Sequence, residues 1–392
     1  MSFSGAEAVI LKPGKDKPIL QRHHWIFSGA VQSFPDFENG SILPVKNHQG
    51  EHLGYAYFNR RCSLVGRIVS FGGNPPEKAI KENITRAIAC REALFSGENN
   101  AYRLINAEGD SLPGLVVDRY HDVLVLQITT LGMEKIKAWI LENLVKLVRP
   151  RSVLERSVSP ERTKEGLPDV EAWVYGEPLA TTEINENGVR FLIDFTRAQK
   201  TGFYLDQREM RLLVRRLSKG QKVLDCFAYT GGFSVNSLFG GASRAELVEA
   251  SASSLELARQ NLELNGFRAA SFELYEADVF TFLRQKKIEA DFIILDPPAF
   301  AKKKADLIRA GRGYRDINRL ALQALPPGGL LLTFSCSHYV NDELFQKILF
   351  QAALEAGRSV RILQRMRHSF DHPVSIFHPE THYLKGFLLY VG

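Results

Sequence analysis

Cysteine is scarce and unpaired in this sequence: Cys62, Cys90, Cys226 and Cys336 are four among 392 residues, with no CxxC and no histidine at ligand spacing. That scarcity excludes a structural zinc site and a secreted disulfide framework, and a reducing cytoplasm is the expected location. Also missing is any apolar run approaching the ~18 residues that span a bilayer. The opening stretch, MSFSGAEAVILKPGKDK, lacks the basic-then-apolar order of a signal segment. No membrane role is expected. Internal repeats and low-complexity tracts are absent as well, and with 45% hydrophobic and 24% charged residues the chain has the composition of a folded one. At 392 residues it is too long for one ordinary core, so two or three domains are expected.

Excess charge is equally sparse, except in one place. The formal net charge is +6, and residues 299–319 (AFAKKKADLIRAGRGYRDINR) alone carry three Lys and four Arg against two Asp. A polyanion would meet Lys302, Lys303, Lys304, Arg309, Arg312 and Arg315 there, which makes these six the candidates for phosphate contacts to RNA. The competing reading is a solvated helix surface.

What is present is patterned. Residues 1–75 hold short β segments (AVILK, SILPVKN, HLGYAYF, LVGRIVSF) separated by turn residues, the pattern of a small β-barrel-like module. After Pro76 the period becomes helical, with Ile80, Ile84, Ala87 and Ile88 on one stripe. A hairpin around Arg119 to Asp122 and a helix from Met133 to Val148 follow, giving a central α/β domain over 76–195. Over 196–392, apolar strands (KVLD, RAELVE, FELYE, DFIILD, GLLLTFS, SVRILQ, GFLLYV) alternate with amphipathic helices, one of them from Ser254 to Asn265 with Gly266 as its C-cap. The fold class is therefore α/β, with a C-terminal doubly wound, Rossmann-like parallel sheet.

Ligands of such sheets bind beyond the carboxyl ends of the strands. The residues expected there are Asp225, Glu249, Asp296 and the pair Ser335-Cys336. The turn VLDCFAYTGGFSV offers Gly231-Gly232 for close approach of a ligand but is not GxGxxG, which disfavours a nicotinamide cofactor. Glu249 suits two ribose hydroxyls, and Asp278 could accept from an adenine amino group, so the rim reads as an adenosyl-ligand site.

The order Asp225-x-Phe-x-x-x-Gly-x-Phe233, Glu249, Asp278, LDPPAF (295–300) and SCS (335–337) resembles class I S-adenosylmethionine-dependent methyltransferases. More narrowly, RHHWIFSGAV, GDSLPGLVVDRY, QKTGFYLDQR, LDPPAFAK, FSCSHYV and HYLKGF resemble the RlmI family of bacterial large-subunit rRNA cytosine-5 methyltransferases, in the same order along nearly the whole chain. The resemblance implies an N-terminal PUA domain and 23S rRNA as partner. It implies S-adenosylmethionine held by Asp225, Phe227, Ala228, Tyr229, Thr230, Gly231, Gly232, Glu249, Ala250, Ser251, Asp278, Val279 and Asp296, with Tyr204, Gln207 and Arg208 beside it.

Carbon 5 of a pyrimidine is a poor nucleophile until a thiolate adds at carbon 6. Cys336 at a strand end is the candidate for that addition, and Asp296 the candidate for holding the base. Cys226 reads as core filler. One departure matters: Ala299 stands where many RNA cytosine-5 methyltransferases keep a second cysteine, so another base must take the carbon 5 proton, and uridine stays the runner-up substrate. Amine methylation, or RNA binding by an assembly factor without catalysis, would also suit parts of the pattern. His23 and His24 make a poor metal pair because neighbours on a strand face opposite ways, so no metal is expected. His338 reads equally as a base or a turn residue, and a homodimer stays open.

Overall fold

The computed structural model describes residues 7–392 apart from 96, 98, 198–200 and 302, and Lys302 of the basic segment therefore lies outside the described residues. The chain forms two compact units. The first comprises Met1–Ile184, Ile193–Leu205 and Phe370–Thr381; the second comprises Asn185–Leu192, Asp206–Ser369 and His382–Gly392.

In the first unit a six-stranded sheet built from residues 9–71 runs in the order Trp25–Phe27, Leu64–Phe71, His52–Phe58, Ile42–Lys46, Val9–Leu11, Val31–Ser33. A five-stranded sheet runs Val170–Tyr175, Ser152–Ser157, Val123–Ile128, Leu115–Tyr120, Ala101–Asn106. The helix Pro76–Leu94 buries Ile80, Ile84, Ala87 and Ile88 in a core that also holds Ile42, Tyr57 and Val69 of the first sheet. The helix expected over 133–148 forms as two, Leu131–Lys135 and Lys137–Val148, because Ile136 (φ −106, ψ 9) leaves the helical region. The first short turn is held where Gly132 sits against the Tyr57 ring, a spot where a Cβ would lie 2.1 Å from Tyr57 Cγ.

The second unit is built on seven strands: β1 (Lys222–Cys226), β2 (Arg244–Glu249), β3 (Phe272–Glu276), β4 (Phe292–Leu295), β5 (Leu330–Ser335), β6 (Val360–Met366) and β7 (Lys385–Val391). Their order is β3-β2-β1-β4-β5-β7-β6. The first five pair in parallel. The expected doubly wound sheet is thus present, and β7 runs antiparallel to both β5 and β6. The connection between β6 and β7 carries no α-helix, only the 3-10 turn Pro379–Thr381, so the chain makes no helical crossover of the kind that joins parallel strands. Along β4, Phe292 and Ile294 join one core cluster and Ile293 and Leu295 the other, so both faces are buried and the strand reads as an unbroken apolar run. The order reverses between β1 and β4, and the crevice beyond their carboxyl ends is where a ligand fits. Among the described residues no helix is long and apolar enough to cross a membrane.

Candidate active site

The β1 end is a tight, strained turn. Phe227 (φ 62) and Tyr229 (φ 48) take left-handed conformations that side chains normally avoid, and Gly231 (φ 79) opens helix α2 (Gly232–Phe239). A Cβ at Gly231 would meet the Ala258 Cβ at 3.2 Å. The turn is tied to β2, since the amides of Phe227 and Ala228 both donate to the Val248 carbonyl, at 2.9 and 3.2 Å. Thr230 is buried, and its carbonyl accepts from Asn261 Nδ2 at 3.0 Å.

The acids at this rim are held differently. Asp225 is fully buried; its Oδ2 accepts from the Ser234 amide at 3.1 Å and the Ser234 hydroxyl at 2.7 Å, while Oδ1 has no hydrogen-bond partner. Burial pushes its carboxyl up to about 7, against the Ser234 hydrogen bonds, and the negative charges of Asp296 and Glu249 act in the same direction. Glu249 takes the amides of Tyr229 and Ser251, each at 3.1 Å, one on each oxygen. Each of those oxygens keeps a further lone pair. Ala250 lies between Glu249 and Ser251, whose hydroxyl caps helix α3 (Ala252–Leu264) by accepting from the Ser254 amide at 3.2 Å. Asp278 caps helix α4 (Val279–Gln285): its Oδ1 accepts from the Thr281 amide and hydroxyl, both at 2.9 Å, and Val279 is buried behind it. That leaves the other oxygen of Asp278 for a ligand.

Asp296 follows β4 and is half-buried, its amide donating to the Cys226 carbonyl at 3.3 Å. Cys336 follows β5, and its Sγ lies 3.8 Å from the carbonyl of Pro297. The structure thus brings Asp296 and Cys336 together at the carboxyl ends of adjacent parallel strands. Ser337 fastens the loops around them, its hydroxyl meeting the Tyr314 hydroxyl at 2.9 Å and accepting from the Ala301 amide at 3.2 Å. Lys385 at the start of β7 donates to the Ser337 carbonyl at 2.7 Å. Sequence reasoning singled out none of Ser234, Ser337 and Lys385, although all three lie inside motif stretches, VLDCFAYTGGFSV, SCS and HYLKGF.

The remaining candidates are dispersed. Gln207 is buried just before helix α1 (Arg208–Leu217), and buried Arg208 lies 3.9 Å from Glu186. Tyr204 falls in the first unit. Lys303, Lys304, Arg309 and Arg312 are exposed, from the turn Lys304–Asp306 into helix α5 (Leu307–Ala324). Arg309 pairs with Asp306 at 3.6 Å and Arg315 with Glu355 at 3.2 Å, so part of the segment's charge is already compensated. His338 is exposed, its ring edge-on to Tyr339.

His23 and His24 part company. His24 turns inward to the Ile68 carbonyl at 2.8 Å, whereas His23, His378 and Glu380 place their ligand atoms within 4.8 Å of one another. The Trp25 amide donates to His23 Nδ1 at 3.2 Å. The neutral ring's proton then sits on Nε2, 3.3 Å from Glu380, which closes the pair as a hydrogen bond rather than an open ligand set.

A family model for S-adenosylmethionine-dependent methyltransferases matches residues 161–376, and one for PUA-like domains matches residues 9–71. The chain is 42% identical over 388 residues to a protein of Shewanella denitrificans named ribosomal RNA large subunit methyltransferase I, covering 96% of this chain and 97% of that one. It is 40% identical to the protein of the same name from Klebsiella pneumoniae, covering 97% of each. In fold it is similar to an S-adenosylmethionine-dependent methyltransferase structure from Streptococcus mutans, with a TM-score of 0.84, 23% identity, and 98% of this chain and 100% of that one covered.

Proposed function

Because the chain belongs to the family of the ribosomal RNA large subunit methyltransferase I proteins, we propose that it methylates carbon 5 of a cytosine in 23S rRNA through a covalent bond from Cys336 Sγ to carbon 6. Its cofactor is S-adenosylmethionine, which supplies an electrophilic methyl group on a sulfonium. The residues of the β1–β2 rim suit that ligand: a buried Asp225 oxygen lacks a partner, Glu249 keeps acceptor capacity for ribose hydroxyls, and the carboxylates of Asp225, Glu249 and Asp296 favour a cationic guest.

The observation that carries the reading is the placing of Cys336 and Asp296 at neighbouring strand ends, with Sγ facing the Asp296-Pro297 loop. Addition of the thiolate to carbon 6 moves the C5=C6 electron pair to carbon 5, which then takes the methyl group. Loss of the carbon 5 proton to a base restores the double bond and expels the thiolate. Asp296 accepts from the exocyclic amine and holds the ring against the sulfur. The target must be unpaired or flipped out of its stack, and Lys303, Lys304, Arg309 and Arg312 would hold the flanking phosphates. Incubating the protein with labelled cofactor and unmodified 23S rRNA, then digesting to nucleosides, should yield 5-methylcytidine. Methylated uridine or an N-methylated base as the product would overturn the assignment.

The cofactor half can be tested alone. Glu249→Ala should weaken S-adenosylmethionine binding in calorimetry by about 1–3 kcal/mol, through lost hydrogen bonds to a charged acceptor. Unchanged affinity would remove Glu249 from the ribose site.

A further inference from the structure

Lys385 is a buried amine with no carboxylate partner among the described residues. It is 2% exposed, and its Nζ donates to two backbone carbonyls, Ser337 at 2.7 Å and Tyr383 at 2.6 Å. No carboxylate among the described residues pairs with it. Asp342, whose charge acts on Lys385 from helix α6 (Asp342–Ala356), is itself 3.0 Å from Arg367. A lysine buried this way is costly unless some charge nearby repays it.

The residue it flanks is Cys336. In the β5–β7 ladder Lys385 stands opposite Ser335, and its amine reaches across to the carbonyl of Ser337, so it brackets the cysteine from both sides. Two carbonyl acceptors satisfy two N–H bonds, which is all a neutral amine has; its lone pair is then free to take a proton.

We propose that Lys385 is the proton and charge partner of Cys336: its amine takes the Sγ proton, and the resulting ammonium holds the sulfur as thiolate. The S–H bond breaks, an N–H bond forms, and the electron pair left on sulfur is the one that attacks carbon 6. When the S–C6 bond breaks at the end of the cycle the thiolate returns to the same ammonium, so no net proton is consumed by the pair. Burial holds the Lys385 ammonium down to about 8, and a negative charge on Cys336 draws it back up. Among the described residues, charged and titratable groups facing the pair include Asp342, Arg367 and His382 beside Lys385 and Tyr314 beside Cys336, with Asp296 next to the Pro297 whose carbonyl meets Sγ. Asp342 and Arg367 act on Lys385 in opposite senses.

This inference rests on Cys336 being the nucleophile, yet its test needs no RNA. Thiolate absorbance of the full chain, measured against Cys336→Ala across a pH series, should titrate below the ~8.5 of free cysteine. A value at or above free cysteine overturns the proposal without any lysine variant. Lys385→Gln should then raise the midpoint by about one unit, lowering the rate of Cys336 alkylation by iodoacetamide at neutral pH about tenfold. Lys385→Arg, which keeps the charge, should restore most of that rate. An unchanged pH profile in folded Lys385→Gln would reduce Lys385 to a structural role. A low thiol midpoint in a protein that forms no adduct with pyrimidine RNA would support the pairing and sink the nucleophile reading, which keeps the two failures apart.

Discussion

Cys336→Ala should lose methyl transfer below detection while binding S-adenosylmethionine as tightly as the unmutated protein. The side chain is half-buried at the mouth of the sheet, and its removal takes one sulfur from a loop otherwise fastened by Ser337 and by the amide of Ala301. Cys336 follows β5, two strands away from the β1–β2 rim in the sheet order, so the fold and the cofactor site should survive. With RNA carrying 5-fluorocytosine at the target, carbon 5 has no removable proton after methylation, and the enzyme should stay bonded to carbon 6. That adduct should survive denaturing electrophoresis for the unmutated chain and be absent for Cys336→Ala. The other thiols are unsuited to replace it. Burial pushes the Cys226 thiol well above its ordinary range, burial and Glu165 push Cys62 up to about 11, and Cys90 is exposed on the helix Pro76–Leu94. Alanine at each of these three should leave turnover intact. Full activity in Cys336→Ala would overturn covalent catalysis and favour amine methylation guided by Asp296.

Much of this site was readable in one dimension because its parts lie at strand ends, and a strand end is a local feature. Asp296 and Cys336 each follow a strand directly, Glu249 ends one and Asp225 stands one residue from the end of another, and the parallel pairing of β2, β1, β4 and β5 sets them on one rim. What escaped depends on pairing between distant segments. Lys385 reads as the polar start of a terminal strand until β7 inserts antiparallel between β5 and β6, which puts it beside Ser335. The same holds for His378 and Glu380, which meet His23 from more than 350 positions away. The hairpin Thr181–Glu186 and Val189–Asp194 did carry a local signal in Asn187 (φ 54) and Gly188 (φ 79), both left-handed as a tight two-residue turn requires. Its use as an anchor for α1 did not. Arg208, Arg211 and Arg215 fall at helical spacing, ordinarily the mark of a solvated face. Here Arg208 and Arg211 are buried, and Arg215 donates to Asn236 Oδ1 and the Asn187 carbonyl. Their partner, Glu186, lies in a separate stretch of sequence.

That buried cluster should make the protein's stability strongly sensitive to a single substitution. Glu186 is 1% exposed and takes Arg211 in a fork, Nε to Oε1 at 2.6 Å and Nη2 to Oε2 at 2.7 Å, with Arg208 at 3.9 Å. Two parallel hydrogen bonds between planar charged groups make the strong form of ion pair. Glu186→Ala would leave two guanidinium groups in the interior with their carboxylate gone. Breaking a buried pair from one side costs about 3–5 kcal/mol. The expected result is a denaturant midpoint lowered in proportion, with the slope unchanged, and a melting temperature lower by roughly 10 °C. The double variant Glu186→Leu with Arg211→Met should recover much of the loss, because the desolvation cost disappears together with the attraction. Arg208 would still lack the Glu186 charge in that variant, so recovery should be partial. Since α1 begins at Arg208, directly after Gln207, loosening Glu186 should also raise the S-adenosylmethionine dissociation constant if Gln207 and Arg208 contact the cofactor. A Glu186→Ala protein as stable as the unmutated chain would show that water reaches these arginines and that the cluster is not the anchor its burial indicates.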